Sequence, residues 1–164
     1  SASAHILKNM NKNETPEEIE RAINLVKENK MRVFLYLTFG LPGETKETMN
    51  KTYHFIKKIQ PDFVTFGIVV PAPDTPFYEY LKKRGCLLEK DLPLNDPNAL
   101  PAFNYPHLSG EEILKFSRSS YRTFYLNPKF ILRRITHLNS YTEFYMYIKN
   151  AIAILRRYIF EPPG

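Results

Sequence analysis

Met31-Arg32-Val33-Phe34-Leu35-Tyr36-Leu37-Thr38-Phe39-Gly40-Leu41-Pro42-Gly43-Glu44-Thr45 decides the fold of this chain. Val33 to Leu37 is a nearly unbroken apolar run. It predicts a strand over Met31–Thr38 of the parallel kind, covered on both faces. Gly40 and Gly43 permit a sharp turn and close backbone approach, and Pro42 stiffens it. Thr45 reads as the N-cap of the next helix, with Glu44 and Glu47 near its positive end. Spacing alone leaves two readings open: a turn that cradles a ligand, or a well-formed strand-to-helix turn without one.

Outward from this turn the pattern repeats. Thr15-Pro16-Glu17-Glu18 is a capping box with proline at the first helical position, and Ile19, Ala22, Ile23 and Val26 follow at helical spacing. Helix 46–59 buries Met49, Tyr53, Ile56 and Ile59. Pro61-Asp62 breaks the chain, and Phe63 to Val70 reads as a second buried strand. Thr75-Pro76 starts a helix that runs to about Arg84 and ends at Gly85. Strands alternating with helices at this spacing predict right-handed βαβ units in a parallel sheet. Active sites of such barrels form at the strand C-termini, so the turns at Gly40 and Pro71 should face one cavity.

Residues 86–108 carry Pro93, Pro97, Pro101 and Pro106 without periodicity. A segment of this kind either packs across the barrel mouth or serves as a surface linker. Ser109-Gly110-Glu111-Glu112 opens a helix with Ile113, Ser117, Tyr121 and Phe124 along one side. Ser140-Tyr141-Thr142-Glu143 opens another, with Phe144, Ile148, Ala151, Leu155 and Ile159 on one face. The organisation is thus a region holding two βα units over 1–85, a proline-rich loop over 86–108 and a helical extension over 109–164.

With 43% hydrophobic and 24% charged residues in 164, the composition is that of one globular domain. The net charge of +6 is concentrated in residues 107–164, which hold 9 basic and 4 acidic side chains. Solvated helix faces account for this excess; nucleic acid, an anionic membrane surface or an acidic partner are the alternatives. Arg118, Tyr121, Arg122, Tyr125, Arg133 and Arg134 interleave as in stacking platforms, but the aromatics fall at core spacing, so no nucleic acid is expected. Lys149, Arg156 and Arg157 interrupt the apolar stretch from Phe144 to Phe160, which excludes it as a membrane span.

Cys86 is the one cysteine. It argues against a disulfide framework, fits a reducing cytoplasm, and reads as a small hydrophobe. His5, His54, His107 and His137 are scattered, so no metal site is expected from them. Gly43 lacks the following Gly-Lys-Ser/Thr of a P-loop, and no Gly-x-Ser-x-Gly occurs. No residue of this chain is assigned a catalytic role.

Five stretches in order carry a resemblance. Gly40-Leu41-Pro42-Gly43-Glu44-Thr45 after an apolar strand resembles the fifth-strand segment of radical S-adenosylmethionine (SAM) enzymes. Ser1-Ala2-Ser3, with Ile6-Leu7-Lys8-Asn9-Met10-Asn11-Lys12, resembles the stretch after the fourth strand, and Thr15-Pro16-Glu17-Glu18 the next helix start. Pro71-Ala72-Pro73-Asp74-Thr75-Pro76 resembles the sixth-strand exit, with Asp74 in place of the usual glycine. Phe124-Tyr125-Leu126-Asn127-Pro128 to Arg134 resembles a tail of the cobalamin-dependent group that contains the anaerobic magnesium-protoporphyrin ester cyclase.

The resemblance implies the second half of a partial (β/α)6 TIM-like barrel with parallel strands, followed by the helical extension. It implies an oxidoreductase or methyltransferase-type enzyme in which a 4Fe-4S cluster cleaves SAM to a 5'-deoxyadenosyl radical. Three cysteines are needed to hold that cluster. The chain is therefore expected to be the C-terminal part of a larger enzyme and inactive alone. Phe39, Gly40 and Leu41 match positions that pack on the SAM adenine, and Ser1 and Ser3 a segment near its ribose. Pro71, Ala72, Pro73 and Asp74 form the substrate-side rim. The implied partners are the N-terminal half of the barrel, a cobalamin-binding domain and a small, hydrophobic substrate such as a tetrapyrrole or lipid. With strand edges and a concave face uncovered, the isolated chain is expected to self-associate. The alternative is a non-catalytic docking module whose basic tail binds a membrane surface or acidic partner.

Overall fold

The computed structural model describes residues 1–88 and 99–136, together with Tyr145, Ile148, Lys149 and Ile152. The described order is α1 (Ala4–Asn9), α2 (Pro16–Glu28), β1 (Phe34–Phe39), α3 (Lys46–Ile59), β2 (Phe63–Ile68), α4 (Pro76–Lys83), α5 (Gly110–Tyr125) and α6 (Pro128–Thr136). Local chemistry sets the helix starts. Thr15 and Glu18 close a reciprocal capping box on α2, and Ser109 and Glu112 do the same on α5. On α3 the box is closed by Thr45 and Thr48, two hydroxyls, with no carboxylate involved.

β1 and β2 pair in parallel from Phe34↔Phe63 to Phe39↔Ile68, joined by α3 as crossover. Their C-terminal ends meet where the Val69 N–H donates to the Phe39 carbonyl at 2.9 Å. The pairing divides the sheet into two faces. Leu35, Leu37, Phe39, Val64, Phe66 and Ile68 lie on one, which packs into a core with Met49 and Ile56 of α3 and Ile113, Tyr121 and Phe124 of α5. A smaller cluster joins Ile23 of α2 to Val33 and Ile59.

The other face carries Phe34, Tyr36, Thr38, Phe63, Thr65 and Gly67. The expectation of strands covered on both sides fails here. Tyr36 is 79% exposed and Phe34 50%, because no layer of the described residues packs on this side. The observed architecture is an α/β layer with one parallel two-stranded sheet, helices on one face and an open opposite face.

Part of the proline-rich segment is ordered against the body. Leu87 bridges Phe103 and Tyr105 bridges Leu108, both antiparallel. The Leu88 N–H donates to the Ala102 carbonyl and the Asn104 N–H to that of Cys86, each at 2.8 Å. Pro93 and Pro97 lie outside the described residues, as do the Ser140 capping box and most of its helix. Tyr145, Ile148, Lys149 and Ile152 are helical and exposed. Among the described residues no helix is long and apolar enough to cross a membrane.

Candidate functional site at the strand C-termini

Gly40 and Gly43 both take left-handed backbone, with φ of +82° and +80°. What approaches them is this chain itself. A Cβ on Gly40 would stand 2.9 Å from Phe103 Cζ, and one on Gly43 would stand 2.8 Å from Asn9 Nδ2. Asn9 uses that approach to donate to the Pro42 carbonyl at 3.0 Å, which ties α1 to the turn.

Glu44 immediately precedes the Thr45 N-cap of α3. It is 0% exposed and folds under the turn, where Oε2 accepts the amides of Gly40 (2.7 Å) and Leu41 (3.1 Å). Burial raises its pKa to about 7, against the opposing pull of the Leu41 and Gly40 amides. The Gly40 and Leu41 amides are therefore already occupied within the turn. Phe39 is likewise turned inward: its ring packs edge-on to Phe116 at 5.1 Å and stacks near Phe66 at 6.0 Å.

Residues 101–108 strap the turn from outside. The Tyr105 hydroxyl donates to the Gly40 carbonyl at 2.9 Å, and His107 Nε2–H donates to the Glu44 carbonyl at 3.0 Å. Tyr105 and His107 stack with ring centres 5.6 Å apart, and Phe103 is fully buried beneath them. Sequence reasoning missed all three, since the segment has no periodicity to flag them.

The remaining rim lies beside this turn. Pro71 is buried, Ala72 half-buried, and Pro73 and Asp74 are exposed. Asp74 adopts φ +62°, so it keeps the left-handed turn that glycine usually fills. Thr75 then caps α4, donating its hydroxyl to the Ala72 carbonyl at 2.6 Å. Ser1 and Ser3 sit against α3: the Ser1 hydroxyl lies 3.2 Å from that of Thr52, which accepts the Ala2 N–H at 3.0 Å. Thr38 and Gly67 are register partners on the open face at this end of the sheet. They are half-buried.

These residues do not fit an iron–sulfur cluster. Cys86 is buried, with Sγ 3.6 Å from the Arg84 carbonyl, and the described residues hold no group of three metal-ligating side chains. For a nucleoside the fit is limited to the open face. Thr38 and Gly67 present a flat, small-residue surface there, whereas the Phe39 ring and the Gly40 and Leu41 amides are committed within the fold.

Two parallel strands joined by a crossover helix, with further helices around them, define an α/β protein. The model of the radical SAM superfamily matches residues 1–56. An uncharacterized methyltransferase of Pyrococcus horikoshii is 30% identical over 98% of this chain and 34% of that protein. The anaerobic magnesium-protoporphyrin IX monomethyl ester cyclase of Rubrivivax gelatinosus is 27% identical over 74% of the chain and 21% of its own length. A threonylcarbamoyladenosine tRNA methylthiotransferase of Aquifex aeolicus is 30% identical over 55% and 22%. The chain belongs to the radical SAM superfamily and is part of that enzyme family. It spans about a third of the Pyrococcus relative and about a fifth of the other two.

Proposed function

We propose that this chain forms the last two strand units of a (β/α)6 radical SAM barrel and one wall of its SAM site. The observation that carries this reading is the asymmetry of the sheet: among the described residues β1 has no neighbour on one edge and no layer covers one face of either strand. A preceding strand would extend the sheet at β1, and the open face would become the inner wall. The cluster ligands then come from elsewhere in the enzyme, and SAM with the cluster supplies the radical chemistry. A cobalamin-binding domain is the further partner that this reading includes, and the cytoplasm is the compartment.

Within that wall the adenine lies against Thr38 and Gly67 and the rim of Pro71, Ala72, Pro73 and Asp74. Phe39, Gly40 and Leu41 act behind it by shaping the turn, and Ser1 and Ser3 hold the neighbouring edge against Thr52. The strap of Tyr105 and His107 covers the turn. A large hydrophobic substrate, a tetrapyrrole or lipid, to be methylated or cyclised, is the substrate class that this reading includes. Alone, the chain would be inactive.

The test is anaerobic expression of the whole reading frame, with iron and sulfide analysis and an EPR spectrum of the reduced protein. A 4Fe-4S signal that shifts on adding SAM, and no longer shifts in Thr38→Phe, is the expected result. A folded protein without a cluster would overturn the enzyme reading. A cluster whose SAM response survives Thr38→Phe would overturn the wall assignment alone.

A further inference from the structure

A second candidate site lies at the opposite end of the sheet. Arg32 lies two residues before β1, and Asp62 immediately precedes β2. Around them Lys27, Lys30, Arg133 and Arg134 line a cleft of about 490 Å3, within the range of small-molecule sites. Five cationic side chains thus meet a single carboxylate among the described residues of the lining. That carboxylate is already engaged: Asp62 Oδ1 accepts from Arg134 Nη1 at 3.0 Å and Oδ2 accepts the Val33 N–H at 2.8 Å.

The cations are held in place by the fold. Arg133 donates to the carbonyls of Gln60 and Pro61, each at 2.8 Å, and Lys27 donates to the Ile59 carbonyl. Carbonyls at a helix C-terminus orient these groups without cancelling a unit charge. Arg134 is 5% exposed and rests on the Phe63 ring at 4.6 Å. Burial lowers the pKa of both Lys27 and Arg133; the Arg133 charge lowers that of Lys27 further, while at Arg133 the attraction of Asp62 opposes a smaller repulsion from Arg134. Like charges fixed this closely repel, and an anion between them would relieve the repulsion. Lys30 stands on an exposed left-handed turn, φ +57°, at the cleft rim. Met31, 57% exposed, adds an apolar ledge beside it.

We propose that this cleft binds a phosphate-bearing small molecule, at a site separate from the strand C-termini. Planar arginine forks together with lysine point charges are the donor set that suits a dianionic phosphate. The volume leaves room for an organic body on the Met31 ledge.

The experiment is calorimetric titration of pyrophosphate into the intact protein, with citrate as a carboxylate control. Saturable 1:1 binding is expected, weakened on the order of ten-fold by Lys30→Gln and again by Arg32→Gln. Lys51→Gln, on the exposed side of α3, should leave it unchanged. Circular dichroism checks each variant; should Arg32→Gln unfold, Lys30→Gln alone decides. Absence of saturable heat, equal loss in Lys51→Gln, or citrate binding as tightly as pyrophosphate would each overturn the proposal.

Discussion

β1 and β2 have the same length and pair along all of it, yet their outer edges end differently. The Tyr125 hydroxyl accepts the Val64 N–H at 3.1 Å and donates to the Val64 carbonyl at 2.7 Å. The Ser117 hydroxyl donates to the Phe66 carbonyl at 2.8 Å. Side chains of α5 thus occupy the backbone groups that a further strand would take on the β2 side. β1 has no such cover among the described residues. An open strand edge invites pairing, and a blocked one resists it. Among the described residues the sheet is therefore open to a further strand at one edge only. Self-association of the isolated chain, if it occurs, should run through the β1 edge.

The largest effect that sharpens this contrast is expected on the covered face. The Phe66 ring meets Tyr121 edge-on at 5.1 Å and Phe124 at 6.2 Å, so it anchors β2 to α5. Phe66→Ala should cost about 3–5 kcal/mol in urea unfolding, through lost transfer energy and the cavity left behind. A loss below about 1 kcal/mol would mean that α5 is not fastened to the sheet in solution.

Next comes the buried carboxylate that holds the end of β1. The Glu44 pKa is raised by burial to about 7, above its ordinary value of 4.5, so the folded state keeps a proton that the unfolded chain has released. The Glu44 contribution to stability should therefore be fullest below pH 4.5, fall as pH rises between 4.5 and 7, and level off above. The total is about 3 kcal/mol at roughly 1.4 kcal/mol per pH unit. Glu44→Gln should remove that slope. An unchanged pH profile in the variant would show that the carboxylate titrates elsewhere.

Helix starts and the βα alternation were legible because their causes are local: Thr15 with Glu18, Ser109 with Glu112, and apolar runs ended by glycine or proline. The open face was not, since a run such as Val33 to Leu37 says nothing about which layers pack against it. Strict alternation from Tyr36 would have placed Phe39 on the opposite, helix-covered face. Glu44 was ambiguous by nature, because a carboxylate at that point of the chain can face the helix end or fold under the turn. The strap residues Phe103, Tyr105 and His107 are placed by contacts more than 60 positions apart in sequence. The fastening of Arg133 and Arg134 to the α3–β2 turn was equally remote.

A smaller effect tests the blocked edge itself. Tyr125→Phe removes both contacts to Val64 while keeping the ring against Phe130, 5.4 Å away. A loss of about 1–2 kcal/mol is expected from the unmade hydrogen bonds of a partly buried backbone. Amide exchange at Val64 should accelerate in the variant. Unaltered exchange there would mean that water serves the edge as well as the hydroxyl does.

The smallest effect belongs to the open face. Tyr36 is 79% exposed, with its ring centre 4.7 Å from that of Phe34. In the isolated chain Tyr36→Ser should change stability by no more than about 0.5 kcal/mol, as at an ordinary surface position. In the intact enzyme the same substitution should cost more, because a completed barrel would enclose this face and the side chain with it. The difference between the two measurements, made by urea unfolding on both proteins, is what matters. Equal losses would mean that the β1 face stays in water in the whole enzyme, and the growth of the sheet beyond β1 would then have to be abandoned.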